Sequence, residues 1–180
     1  MRMNQSVRLA FCSMITAAST ALLFLAGLIP ASTYALSAFA GILLFPVVIE
    51  LGTGWAVSVY ISAGLLSFLL SGDKEAALAF VLFFGFYPVF KARAESKKKE
   101  YAVLAKAAYF NLTAIAEYWL GISLLGVKTE NFGRLGSYGP WVLLVFGNVF
   151  FWIYDYAFSL LVITYMKRYH GILSKWLGPR

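Results

Sequence analysis

Residues 141–166 read WVLLVFGNVFFWIYDYAFSLLVITYM, a run in which Asp155 is the one charged side chain. About 20 consecutive apolar residues are enough for a helix to cross a lipid bilayer. Pro140 precedes the run and Lys167 with Arg168 follows it, so both ends carry helix-boundary signals. The run therefore predicts a membrane-spanning helix that contains an acid group.

The composition of the whole chain agrees with this reading. The protein has 180 residues, of which 61% are hydrophobic and 13% are charged. A soluble domain has about 25% charged residues and fewer apolar ones. The chain is therefore expected to be an integral membrane protein, and residues 1–180 are expected to form a single transmembrane domain because the length leaves no room for a second one.

Five further apolar runs precede residues 141–166, and turn signals such as Pro30, Gly52 and Gly72 separate the first of them. The pattern predicts an all-α protein, a compact bundle of six transmembrane helices. Pro46 and Pro88 fall inside the second and fourth helices and predict kinks there. The predicted helices comprise residues 9–29, 33–51, 55–70, 76–90, 102–125 and 141–166.

Basic residues are distributed unevenly over this map. Six crossings put both termini on one side, and that side receives 11 of the 15 basic residues. The opposite side receives three, namely Lys74, Lys128 and Arg134, and Lys106 lies inside a span. Because loops rich in Lys and Arg stay in the cytoplasm, both termini are predicted to be cytoplasmic in a cell-membrane protein. Residues 91–100 are interpreted as a solvated cytoplasmic connector.

Several functional classes are disfavoured by the sequence. The net charge of +7 comes from residues beside hydrophobic runs, and no zinc-finger or helix-turn-helix pattern accompanies it, so nucleic acid is not an expected partner. Cys12 and His170 are the only residues of their kinds, which disfavours a metal site and a histidine-dependent hydrolase. No HExxH, GxSxG or Walker A motif is present. No enzymatic activity, metal or cofactor is expected, and His170 is expected to be solvated near the membrane surface.

The first predicted helix carries a stripe of small residues. Spacings of three, four and four residues place its members on one helix face. Such small-xxx-small patterns let helices approach closely in lipid. The stripe is expected either to pack inside this bundle or to dock onto another membrane protein. Its members are Ala10, Ser13, Ala17 and Ala21.

Two polar positions on the fifth and sixth helices predict a buried ion pair. Lys106 and Asp155 both fall in the inner half of these antiparallel helices. They are about 9 Å apart along the bundle axis at 1.5 Å per residue, and a lysine stem can cover much of that distance. Lys106 and Asp155 are therefore predicted to form a structural ion pair.

The outer halves of the same helices predict a binding pocket. Glu117 and Asn148 both lie there, with Tyr118, Trp119 and Trp152 nearby. An ionisable residue inside a membrane is costly and usually marks a functional site. These five residues are therefore predicted to bind a small molecule. The alternative is that the polar residues only stabilise helix packing. The external loop 128–140 is interpreted either as a cover for the pocket or as a plain connector.

Six helices, cytoplasmic termini and a first helix with Ser13, Ala17 and Ala21 resemble the S-components of energy-coupling factor (ECF) transporters. The resemblance covers the whole chain in architecture. It implies a membrane-embedded binder of a vitamin or another micronutrient. It also implies that the small-residue motif docks onto a transmembrane T-component and that two ATPase subunits supply energy. The region of Glu117, Asn148 and Trp152 matches the family's substrate site in the outer half.

Two other functions stay open at this point. One is a structural membrane scaffold of the MreD-like cell-shape type, which has partners but no ligand. The other is a small ion-coupled carrier that uses Glu117 and Asp155. Carriers usually have repeated halves, and no internal repeat is evident in this sequence.

Overall fold

The computed structural model describes residues 5–29, 32–126 and 139–171. Within these residues the chain forms six helices and no strand, which confirms the all-helical prediction. The helices are α1 (Gln5–Ala26), α2 (Thr33–Glu50), α3 (Thr53–Leu70), α4 (Lys74–Ala94), α5 (Lys99–Leu125) and α6 (Gly139–Arg168).

Five of the six helices, all except α5, are long and apolar enough to cross a membrane. The outer surface of the bundle is covered by large apolar side chains, among them Leu69, Leu104 and Leu124. Exposed apolar surface of this extent is unusual in a soluble monomer and is typical of a surface that contacts lipid. Five helices of the described part of the chain are therefore candidates to cross a membrane by length and composition, and a sixth crossing through α5 stays a prediction.

Both helices with an internal proline are interrupted. In α2 the break falls between Ile42 and Phe45, and Pro46 then opens the second segment. In α4 a π-helical turn, Phe80–Phe84, precedes the segment that contains Pro88. Proline cannot donate a backbone hydrogen bond, so it is tolerated in the first turn of a new segment.

The two interruptions lie against each other. A Cβ atom added at Gly41 of α2 would collide with the Phe84 carbonyl group of α4. Glycine is therefore the residue that permits the close approach of the two backbones. The contact brings α2 and α4 together at the middle of the bundle.

Helix α1 packs against α2 and α3, α2 packs against α4, and α5 packs against α4 and α6. The main core lies between the first four helices, where several large side chains have no exposed surface. These are Leu23, Leu44, Val47, Phe80 and Val89. A second, aromatic cluster around Phe83, Tyr87 and Phe151 joins α4 to α6.

Helix α4 corrects one prediction. The predicted fourth helix ended at residue 90, with Lys91 in a solvated connector, and this prediction is wrong. The helix continues to Ala94, and Lys91 is only 4% exposed. A lysine at this depth needs partners inside the bundle, and these are Asp155 and Ser159 of α6 together with Glu95, which directly follows α4. Without Lys91, the count of basic residues predicted on the side of the termini falls from 11 to 10.

Candidate functional site

Asp155 of α6 is buried and binds three side chains from two other helices. Its Oδ2 atom accepts a hydrogen bond from Lys106 Nζ at 2.6 Å. Its Oδ1 atom accepts from the Tyr87 hydroxyl group at 2.5 Å and from Lys91 Nζ. The structure thus brings together Lys106 and Asp155, which the sequence analysis paired, and adds Tyr87 and Lys91 from α4.

A second carboxylate completes this group. Glu95 Oε1 lies 2.7 Å from Lys91 Nζ and 3.0 Å from Lys106 Nζ, and its side chain is 45% exposed. Two ammonium groups therefore face two carboxylates, so the cluster has no net charge. Ser159 accepts a hydrogen bond from Lys91 at 2.9 Å and donates one to the Asp155 carbonyl oxygen at 2.8 Å. These side chains are called the charge cluster below.

Aromatic rings pack beside the charge cluster, around Tyr87. The Tyr87 ring contacts the rings of Phe83, Tyr109 and Phe151, with centroids between 5.1 and 6.2 Å apart. Apolar surroundings strengthen the attraction between opposite charges and raise the cost of an unpaired one. The cluster is therefore well suited to hold α4, α5 and α6 together.

The polar pair Asn111 and Asn148 lies farther along α5 and α6. Each amide nitrogen donates to the oxygen of the other side chain at 3.0 Å. The Asn148 amide also donates to the Leu144 carbonyl oxygen at 2.8 Å. The side chain of Asn148, which was predicted to bind a ligand, is thus engaged in a contact between helices.

Glu117 occupies a different environment. It follows Asn111 by six residues, which places it about 9 Å farther along α5 and on another face. Its side chain interacts with Tyr34 of α2 and Glu75 of α4, and Tyr34 donates a hydrogen bond to Glu75 at 2.8 Å. The structure therefore gives Glu117 and Asn148 different neighbours.

One carboxylate oxygen of Glu117 lacks a partner. Its Oε1 atom has almost no accessible surface, and no hydrogen-bond donor reaches it from the described residues. A buried acceptor without a donor costs about 1–3 kcal/mol, and more when it is charged. This unpartnered acceptor is the feature that distinguishes Glu117 from Asp155.

The N-terminal ends of α2 and α4 are joined by hydrogen bonds beside Glu117. Asp73 caps α4 by accepting hydrogen bonds from the backbone N–H groups of Glu75 and Ala76, both at 3.0 Å. It also accepts a hydrogen bond from the Thr33 hydroxyl group at 2.6 Å. These contacts fix the position of Glu75 relative to α2.

The three predicted aromatic pocket residues lie in different settings. Trp119 is 66% exposed and belongs to the outer surface of the bundle. Trp152 is 38% exposed and packs on the neighbouring Phe151 ring, whereas Tyr118 is half-buried. A shared pocket for these residues stays a prediction. The external loop 128–140 lies outside the described residues up to position 138.

The small-residue stripe of α1 faces outward. All four members, Ala10, Ser13, Ala17 and Ala21, are exposed. Ala17 and Ala21 line a shallow groove of about 600 Å³ between α1 and α3. The buried hydroxyl group of Thr20 also borders this groove, and no described residue hydrogen-bonds to it. The stripe thus lies on the surface of the described part of the bundle.

The lone histidine has a more specific contact than was expected. His170 Nδ1 lies 2.9 Å from Glu50 Oε1, and Tyr165 donates to the same oxygen at 2.9 Å. Glu50 is buried at the end of α2. The contact ties the end of α6 to α2, so His170 is not simply solvated.

Comparisons with known proteins give no functional assignment, so the proposal below is based on the geometry of the chain. No protein-family model, curated protein or solved structure matches this chain. Across residues 5–29, 32–126 and 139–171, no group of three or more His, Cys, Asp or Glu side chains is arranged to hold a metal ion.

Proposed function

We propose that this protein is the membrane-embedded, substrate-binding subunit of an uptake transporter, similar to the S-components of ECF transporters. The observation that carries the proposal is the buried Glu117 Oε1 atom, for which the described residues provide no donor. In a helix within the bilayer, such an acceptor is costly unless a ligand satisfies it. The proposed ligand is a small vitamin or another micronutrient.

The surroundings of Glu117 indicate which ligand chemistry fits. Glu117 and Glu75 are both hydrogen-bond acceptors, and Tyr34 is already donating to Glu75. A ligand with N–H or O–H groups complements this arrangement, because each added donor satisfies a carboxylate oxygen. The proposed ligand is therefore a polar or aromatic molecule with at least one donor group directed at Glu117.

Asp155 has no comparable capacity for a ligand. Both of its carboxylate oxygens already accept hydrogen bonds from charged or phenolic donors. This saturation disfavours the alternative of an ion-coupled carrier that uses Glu117 and Asp155 together. The predicted contribution of Asn148 to binding requires its amide to leave Asn111, so that contribution is secondary in this proposal.

The proposed partner contact lies on α1. Exposed Ala17 and Ala21 border a groove in which an apolar helix can approach the backbone closely. We assign this face to a transmembrane T-component, with ATPase subunits supplying energy on the cytoplasmic side. The proposal includes a sixth crossing through α5 and cytoplasmic termini.

Native mass spectrometry of the gently solubilised wild-type protein tests the binding function. The expected spectrum contains a small molecule retained by the folded chain and released at higher collision energy. Associated T-component and ATPase subunits would support the transporter assignment. Association with cell-wall machinery, and no retained molecule after growth in rich medium, would support the scaffold alternative instead.

A separate experiment tests the docking face. Ala17→Leu fills the groove and is expected to abolish copurification of the T-component while the chain stays folded and retains its ligand. Ala108→Leu is the matched control, because Ala108 is an exposed alanine on α5, away from the groove. If Ala17→Leu preserves the complex, or if both variants disrupt it equally, the docking assignment is wrong.

A further inference from the structure

Residues 93–100, called the connector below, include the last residues of α4 and the first of α5 and carry a concentrated positive charge. Arg93 and the consecutive residues Lys97, Lys98 and Lys99 are all exposed. Two acids lie in the same segment, but Glu95 is engaged by the charge cluster. Glu100 is the remaining acid, so the exposed part of the segment has a net charge of +3.

These lysines differ from the two lysines of the charge cluster. Lys91 and Lys106 are neutralised inside the bundle by Asp155 and Glu95. Lys97–Lys99, in contrast, make no ion pair with any residue that the structure describes. Two of the six basic side chains in this region therefore belong to the charge cluster, and the other four lie on the surface.

An apolar stripe on α5 begins directly after the lysines. Its residues are exposed and follow one another at spacings of three or four, or twice four, along the helix. It begins with a tyrosine and ends with a tryptophan, about 27 Å apart at 1.5 Å per residue. That length is close to the roughly 30 Å of a bilayer's hydrocarbon core. The stripe consists of Tyr101, Leu104, Leu112, Ile115 and Trp119.

The two ends of the stripe locate the lysines relative to the membrane. Tyrosine and tryptophan concentrate at the boundaries between lipid and water. With Tyr101 at one boundary, Lys97–Lys99 lie one turn or less beyond it, at the level of the phospholipid head groups. Leu104 and the following apolar residues then face the acyl chains.

We propose that the connector residues Arg93 and Lys97–Lys99, together with the α5 stripe, bind anionic phospholipid. The phosphate group lies against the ammonium groups, and the acyl chains lie along Tyr101 and Leu104. Clustered basic residues beside a transmembrane helix attract anionic lipid by this mechanism. A soluble acidic protein fits less well, because the charges are continuous with an apolar surface that such a partner does not cover.

Lipid titration with detection by native mass spectrometry tests the proposal. Detergent-solubilised protein is titrated with dioleoylphosphatidylglycerol or with dioleoylphosphatidylcholine, and the bound lipids are counted. Lys98→Gln/Lys99→Gln is compared with Lys167→Gln/Arg168→Gln, which removes the same charge from the exposed last turn of α6. Lys98→Arg/Lys99→Arg tests rescue by retained charge.

The wild-type protein is expected to prefer phosphatidylglycerol. Neutralising Lys98 and Lys99 should weaken that preference at least roughly tenfold, since each basic residue near a membrane surface contributes about a fivefold effect. The α6 variant and the arginine variant should retain the preference. Equal losses in the connector and α6 variants, or no loss in either, would overturn the proposal. So would equal competition by soluble glycerophosphoglycerol, because that result would identify a site for phosphate and not for lipid.

Discussion

Asp155 and Glu117 are both acids within the helical bundle, yet their surroundings are opposite. Asp155 is contacted by Lys91, Lys106 and Tyr87, and its charge is matched within the charge cluster. Glu117 faces Tyr34 and another acid, and its Oε1 atom has no donor among the described residues. Each carboxylate oxygen of Asp155 thus has a donor, whereas one oxygen of Glu117 has none among the described residues. This difference is the basis for assigning a structural role to Asp155 and for proposing a ligand-binding role for Glu117.

Helix α5 contributes to the surroundings of both acids. Lys106 and Glu117 lie on this helix, 11 residues and about 16 Å apart along its axis. The Lys106 end packs on α6 through the charge cluster, and the Glu117 end lies near α2 and α4. One helix thus carries Lys106, whose partners are all in place, and Glu117, one oxygen of which has no donor among the described residues. This arrangement permits changes at Glu117 without loss of the packing at Lys106.

The largest effect on stability is expected for Asp155→Asn. The substitution leaves two buried lysines with Glu95 as their one remaining anion, and breaking a buried ion pair typically costs 3–5 kcal/mol. Thermal unfolding in one detergent should show a clearly lowered midpoint. The double variant Asp155→Asn/Lys91→Gln restores charge balance and should be more stable than the single variant. If both unfold at the wild-type temperature, the charge cluster does not stabilise the bundle.

Tyr87→Phe should have a smaller effect of the same sign. It removes the hydroxyl group that donates to Asp155 but retains the ring that packs on Phe83 and Phe151. A hydrogen bond to a charged group contributes about 1.5–3 kcal/mol. The loss should appear in the unfolding midpoint and should be smaller in the Asp155→Asn background, because the acceptor there is a neutral amide oxygen. Additive losses would contradict a shared cluster.

A still smaller effect is expected at the uncharged polar pair. Asn148→Leu removes both hydrogen bonds of the reciprocal amide contact with Asn111. Hydrogen bonds between membrane helices average about 0.6 kcal/mol and reach about 1.7 kcal/mol. The free energy of unfolding should fall by this amount, with at most a minor change in ligand retention. A large loss of ligand binding with no loss of stability would instead show that Asn148 belongs to the binding pocket.

The parts of the fold that depend on local sequence were predictable. Apolar runs between turn residues located all six helices, and Pro46 and Pro88 marked the two interrupted ones. The pairing of Lys106 with Asp155 followed from helical spacing and comparable depth in antiparallel helices. Each of these predictions needs only the period of a helix and the thickness of a bilayer.

Contacts that depend on helix register could not be predicted in the same way. Lys91 follows an apolar run directly, so it has the appearance of a boundary residue, and only the continuation of α4 brings it to Asp155. Its spacing of four residues from Tyr87 was the available signal, because both then lie on one face. Likewise, the sequence did not predict that Asn148 would form hydrogen bonds with Asn111, or that Glu117 would lie beside Tyr34. These contacts depend on the axial positions of several helices.

The most direct test of the central claim compares Glu117→Gln with Asp155→Asn in parallel. Thermal unfolding and native mass spectrometry are measured on the same purified samples, so stability and ligand retention are read together. Glu117→Gln should not lower the unfolding temperature, because it removes a costly buried negative charge, but it should weaken ligand binding roughly 10- to 150-fold because a neutral amide is a weaker acceptor. Asp155→Asn should lower the unfolding temperature. If Glu117→Gln destabilises the fold as much as Asp155→Asn and retains full ligand affinity, Glu117 is structural and the assignment of the binding site is wrong.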